Sequence, residues 1–125
     1  MFFSRATGDT YHYRGAIGGY DLELGDFIVD GEWHDKDLSG IIPKNTTLIH
    51  IQMDMLTSQA GKAFGVREKD SEAEYAKSWV NTQEPDIRFI APIYVSANAN
   101  RMIEYFMSDI TWTHLRFTVC GWWSK

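Results

Sequence analysis

Asn98-Ala-Asn-Arg-Met-Ile-Glu-Tyr-Phe-Met-Ser-Asp-Ile110 carries the clearest helical pattern in the chain. Ala99, Met102, Ile103, Phe106, Met107 and Ile110 recur at i, i+3, i+4, i+7, i+8 and i+11, the spacing of one helical face. Asn98 stands where an N-cap belongs. The spacing predicts a helix over 98–110. A second helix is predicted from Ser71. Ser71-Glu-Ala-Glu74 matches a capping box, and Tyr75, Ala76, Trp79 and Val80 follow as one apolar stripe. Residues 55–65 read either way, because Gly61 and Gly65 each weaken a helix there by about 1 kcal/mol relative to Ala.

Strand signals surround these segments. Tyr20-Asp-Leu-Glu-Leu24 alternates strictly, and Phe27-Ile-Val29 follows a Gly25-Asp26 turn. Thr10-Tyr-His-Tyr-Arg14 suits an earlier strand, with Tyr11 and Tyr13 on one face. Over 46–53, Ile49, Ile51 and Met53 are expected in the core, with Leu48, His50 and Gln52 on the opposite face. Residues 87–95 read as a strand that Pro92 pushes toward an edge or bulge. Thr111 to Val119 places Leu115, Phe117 and Val119 on one face and Trp112, His114, Arg116 and Thr118 on the other. Together these segments predict an α+β fold: an antiparallel or mixed sheet of about five to six strands, with two to three helices packed on one face. The reading is one domain over 1–125, β-rich over 1–54 and helix–strand–helix–strand over 55–125.

Composition narrows the function classes. Aromatic residues make up 14% and hydrophobic residues 44% of the chain, enough to offset the entropy of folding. No apolar run reaches the length of a membrane span, and the first residues lack the basic and apolar regions of a secretory signal. A lone Cys120 suits a reducing, cytoplasmic setting, and its place after Val119 reads as an inert buried thiol. The net charge of -5 disfavours sequence-independent nucleic-acid binding. Phosphate-loop, Cys-x-x-Cys, His-Glu-x-x-His and Gly-x-Ser-x-Gly signatures are absent, and no cofactor is expected.

Three constellations carry chemistry. Thr47-Leu-Ile-His50-Ile-Gln52 and Thr111-Trp-Thr-His114-Leu-Arg116 share the pattern Thr-x-x-His-aliphatic-polar. On neighbouring strands, both imidazoles would line one groove and serve as general base and acid, with Arg116 clamping an anion. The pair resembles the two-histidine phosphoesterases, which carry two His-x-Thr/Ser motifs on central strands; here Gln52 and Arg116 occupy the hydroxyl positions. That resemblance implies a small phosphoesterase-like or lyase-like enzyme.

The second constellation is acidic. Residues 21–37 hold seven acids against Lys36, so the rest of the chain is close to neutral. Asp26, Asp30, Glu32, Asp35 and Asp37 are candidate contacts for a basic partner, or the solvated face of an exposed strand pair. Within them, Asp35-Lys-Asp37-Leu-Ser39-Gly40-Ile-Ile42 resembles an EF-hand calcium loop, with Thr46 where its bidentate Glu would stand. Turn capping accounts for the same residues, and no metal is expected. Arg5 with Glu72 and Glu74 resembles the Arg and Glu-x-Glu of ADP-ribosyltransferases, although the capping box accounts for the two acids.

The third is aromatic. Trp112, Trp122, Tyr11 and Tyr13, with Arg116 and Gln52, suit a ring-bearing ligand or a protein anchor. The leading expectation is therefore a small soluble binding protein. It would recognise a partner protein or a small, nucleotide-like ligand through an aromatic groove or the acidic patch. A virus-encoded inhibitor of a host enzyme and a homo-oligomeric subunit both fit that description.

Overall fold

The computed structural model describes residues 9–125; Arg5 and the side chain of Tyr75 lie outside what is described. Nine strands run in the order β1 (Thr10–Tyr13), β2 (Leu22–Glu23), β3 (Trp33–Asp37), β4 (Thr46–Thr57), β5 (Ala63–Glu68), β6 (Lys77–Asn81), β7 (Phe89–Ser96), β8 (Met102–Met107) and β9 (Trp112–Ser124). One-turn 3-10 helices at Leu24–Asp26 and Glu74–Ala76 are the only helical segments among the described residues. None of the helical segments is long and apolar enough to cross a membrane.

The strands form two antiparallel sheets. One has five strands in the order β1-β9-β4-β7, with β2 also on β9; the other has four in the order β3-β8-β5-β6. Their inner faces share one core. Ile49, Ile51, Met53 and Met55 from β4 and Leu115, Phe117 and Val119 from β9 meet Phe64 and Val66 from β5 and Ile103, Tyr105 and Met107 from β8. The rings of Phe64 and Phe117 lie 6.3 Å apart across the sandwich. β7 is an edge strand, where the missing N–H of Pro92 costs no inner ladder bond.

This corrects the α+β expectation: the fold is all-β, and no helices pack on a sheet. The cause lies in 98–110. β8 is an inner strand whose two faces are both covered. Ile103, Tyr105 and Met107 point into the core, while Phe106 packs on Trp33 and Trp79 on the outer face. The outer face of β8 sets Met102 and Phe106 beside a buried Glu104, so apolar residues drawn from both faces satisfy helical spacing by coincidence. The Asn98 side chain does accept two backbone N–H groups, from Asn100 and Met102, but it caps a turn that leads into β8. Arg101 then adopts φ 62, which ends any helical path. Likewise, the Ser71 hydroxyl accepts from Ala73 N, and one 3-10 turn passes directly into β6.

Two glycines let aromatic rings lie flat on the outer sheet faces. A Cβ on Gly65 would stand 2.6 Å from Trp79 ring carbons, and one on Gly121 would stand 2.3 Å from the Tyr11 hydroxyl. Gly65→Ala is expected to lower stability by about 1–3 kcal/mol in urea unfolding, because the Trp79 ring must leave its seat. The cost should shrink in a Trp79→Ala background; an unchanged cost would place the strain elsewhere.

Candidate functional site

Alternation along β4 sends His50, Gln52 and Asp54 to the outer face of the five-stranded sheet, opposite its buried isoleucines and methionines. β9 sends His114, Arg116 and Thr118 to the same face. Gln52 pairs with Thr118, Asp54 with Arg116 and Leu56 with His114. The segment from Arg14 to Asp21 crosses this face and forms a wall over it. Its anchor is a clamp on β9. Asp21 accepts the Val119 N–H at 2.7 Å, and Arg14, ion-paired to Asp21, donates to the Val119 carbonyl at 3.1 Å. The clamp sits where the β4–β9 register skips Cys120, so it satisfies backbone groups beside the bulge.

A groove of about 350 Å³ results. Gln52, Thr118 and Cys120 form its floor; Tyr13 and Tyr20 stand at its sides. The Arg116 guanidinium lies 4.5 Å over the Tyr20 ring and donates to the Tyr20 hydroxyl at 3.1 Å.

Beyond Arg116 lies a buried carboxylate. Asp54 is 8% exposed, and Arg88 grips it through Nε and Nη2, the former at 2.9 Å. His114 Nε2 lies 2.7 Å from the other side of the same Oδ1 acceptor group. The Arg88 hydrogen bond, followed by that from His114, holds the Asp54 carboxyl down at about 2. Being ionised, Asp54 can only accept, so His114 donates from Nε2 and its tautomer is set. At the opposite end, the Tyr11 hydroxyl is 3.1 Å from His50 Nδ1, and the His50 ring stacks on Tyr94 at 4.9 Å. Burial lowers the His50 pKa, so this imidazole is neutral at pH 7.

The structure thus brings Tyr13 and Gln52 to one groove, with Arg116 held on the Tyr20 ring beside it; Tyr11 lies with His50 at one end of the same face and His114 lies at the other. It does not bring the histidines together. They are separated by six residues of β4, or about 20 Å at strand rise, too far to serve one reacting bond. Trp112 and Trp122 are not groove residues. A register shift between Leu56 and Thr57 reverses the side-chain phase, so Trp112 is buried and donates to the Ser108 carbonyl at 3.0 Å. Trp122 pairs with Ile49 and packs against the core. Trp123, one position on, carries the aromatic contact with Tyr11 at 4.6 Å.

The acids of 21–37 are engaged locally. Asp26 accepts from Glu23 N, and Asp30 accepts from His34 and Glu32 N. Asp35 pairs with Lys69 at 2.9 Å, and Asp37 accepts from Ser39 N; Glu32 remains exposed. The His34 hydrogen bond lowers the Asp30 pKa, and the Ser39 N–H lowers that of Asp37. Asp35 and Asp37 lie on one side of an extended edge strand, so the calcium-loop reading fails; among the described residues no cluster of three His, Cys, Asp or Glu could hold a metal. Burial raises the Cys120 thiol pKa, which removes it as a nucleophile at neutral pH.

Sequence reasoning missed Asp54, Arg88, Tyr20 and Tyr94, while Trp123 was legible as half of the C-terminal Trp122-Trp123 pair. Asp54 had a signal: the alternation of 46–53 continues through Asp54 and Met55, which puts this acid beside Gln52 on the outer face. No protein-family model, characterised relative or solved structure matches the chain.

Asp54 makes stability pH-dependent in one direction. Its folded pKa of about 2 lies below its unfolded value near 3.9. Its contribution of about 2 kcal/mol is complete above about pH 5 and is lost as pH falls toward 2. Asp54→Asn should therefore be less stable than the parent at pH 7 in chemical denaturation, with the gap closing between about pH 5 and 2. A pH-independent gap would contradict the ionised, Arg88-bound state.

Proposed function

We propose that the chain is a small binding protein whose recognition surface is the outer face of the five-stranded sheet. One observation carries this reading. Two exposed phenol rings, Tyr13 at 72% and Tyr20 at 45%, flank a floor of hydrogen-bonding groups, with the Arg116 cation packed on the Tyr20 ring. A planar ring fits between stacking partners, Gln52 offers a donor and an acceptor to its edge, and Arg116 meets an anionic group. A nucleotide-like ligand combines these properties, and the groove volume falls in the range of small-ligand sites. The separation of His50 from His114 argues against the enzyme reading. A single half-buried thiol supports a reducing, cytoplasmic setting.

A partner protein is the second reading. It is favoured by apolar surface that continues past the groove through Ile17, Ile90 and Tyr94, each at least 36% exposed. Tyrosine and arginine on such a face are typical anchors.

Titration with a panel of nucleosides and nucleotides, followed by intrinsic fluorescence, tests the first reading. Saturable binding is expected, weakened about tenfold by Tyr20→Ala or Arg116→Ala. His50→Ala and His114→Ala should reveal no hydrolytic activity in the parent for them to abolish. If no member of the panel binds, yet Tyr13→Ala or Ile90→Asp abolishes capture of a protein partner, the second reading replaces the first. If either His variant removes a measurable turnover, both binding readings fail.

A further inference from the structure

A second cleft, of about 420 Å³, opens between the β3–β4 connection and the β7–β8 connection. It shares no lining residue with the Tyr13–Tyr20 groove. We propose that it binds a phosphate-type oxyanion, either free phosphate or a phosphate monoester carried on a larger ligand.

Charge is the first argument. Lys44 and Arg101 line the cleft and no acid does, in a chain whose net charge is -5. Neutral donors fill the rest of the lining, with Asn98, Asn100 and Ser39 among them. Because the Asn98 Oδ1 already accepts from Asn100 N and Met102 N, the group it has left to offer is its amide NH₂.

Arg101 is the second argument. Its Nη1 is fixed to the fold, donating to the Ser39 carbonyl at 3.1 Å and the Ile42 carbonyl at 3.2 Å. Its Nε is buried without any acceptor among the described residues. The same guanidinium edge, Nε with Nη2, is the one with which Arg88 grips Asp54 at two points. In Arg101 no carboxylate stands there. The Asp37 carboxylate acts on Arg101 through space, but its hydrogen bond is to the Ser39 N–H and the Arg101 Nε is left without an acceptor. An unpartnered buried donor on a cationic group is costly, and a seated oxyanion would satisfy it. A tetrahedral anion has enough acceptor oxygens to take the Arg101 edge, the Lys44 ammonium and an asparagine amide together; a carboxylate has only two oxygens.

The test uses the full chain labelled with ¹⁵N and titrated at constant ionic strength with inorganic phosphate, glycerol phosphate and, as control, chloride. Both phosphates should produce saturable amide shifts at Lys44, Asn45 and Asn98 to Arg101, with no shift at Gln52 or Thr118. Tighter binding of glycerol phosphate identifies a ligand-borne phosphate, and equal binding identifies the free ion; both support the site. Lys44→Ala, at an exposed position, should weaken binding about fivefold. Arg101→Lys keeps the charge but loses the two-point edge and should weaken it as well; if that variant fails to fold, Lys44→Ala carries the test alone. Unsaturable shifts that chloride reproduces, or an affinity unchanged in Lys44→Ala, would overturn the proposal. Saturable shifts confined to Gln52 and Thr118 would overturn it too, while leaving the groove reading intact.

Discussion

The antiparallel pairing of β4 with β9 is the constraint on which both faces of this molecule depend. The two strands span 12 and 13 residues, and every side chain along them is assigned to the core or to the open face by a period of two. A slip of one residue would exchange the two sets. The pairing tolerates three register shifts, and two of them have a visible consequence. Omission of Cys120 from the register creates a bulge that Arg14 and Asp21 bind through Val119, and that clamp holds the groove wall in place. The shift near Thr113 turns Trp112 inward. Two bulges therefore decide which tryptophans serve the core and which the surface.

Each sheet also carries a buried carboxylate on its outer face, and each is held by an arginine. Asp54 is gripped by Arg88 in the five-stranded sheet. In the four-stranded sheet, Glu104 is 8% exposed, is held by Arg67 at 2.7 Å, and also accepts from Asp70 N. Beside each pair lie aromatic rings: Tyr20 near Asp54 through Arg116, and Trp33, over which Arg67 sits at 4.3 Å. Such pairs add little over a well-packed apolar substitute, but removing one partner strands a desolvated charge at a cost of about 3–5 kcal/mol. They penalise any register in which the acid fails to meet its arginine. The outer faces thereby contribute to register specificity along with the core.

These features explain what could be read from the chain alone. The alternation over 46–53 and 111–119 correctly places Ile49, Ile51, Met53, Leu115, Phe117 and Val119 inside, and it directs His50, Gln52 and Arg116 outward. Local pattern suffices there because one face is apolar and the other polar. It fails at β8, where both faces are covered and the outer face mixes Met102 and Phe106 with a buried Glu104, so no clean alternation is left. It fails again at Trp112, since a bulge is a property of two strands and leaves no mark in one. The partners of the site are equally illegible: Arg88 meets Asp54 across 34 positions and Tyr20 meets Arg116 across 96. Residue type could announce that Asp54 needs a partner, but only the fold selects which one.

The same distinction applies to charge. An acidic chain invites attention to its acids, yet those of 21–37 are absorbed into turns and short ion pairs around β3. Five of the described bases are neutralised as well: Arg14 by Asp21, Arg67 by Glu104, Lys69 by Asp35, Lys77 by Glu74 and Arg88 by Asp54. Arg116, Lys44 and Arg101 are among the bases without such a pair, as is Lys36, which donates to the Asp26 carbonyl. Arg116 rests on a tyrosine ring, Lys44 lines a cleft without an acid, and Arg101 is tied only to backbone carbonyls. A cation that lines an opening without a carboxylate is a better guide to a ligand than the net charge, because its countercharge must come from solvent or from whatever the protein binds. Both openings of the molecule, the tyrosine groove and the asparagine-lined cleft, are bordered by such cations.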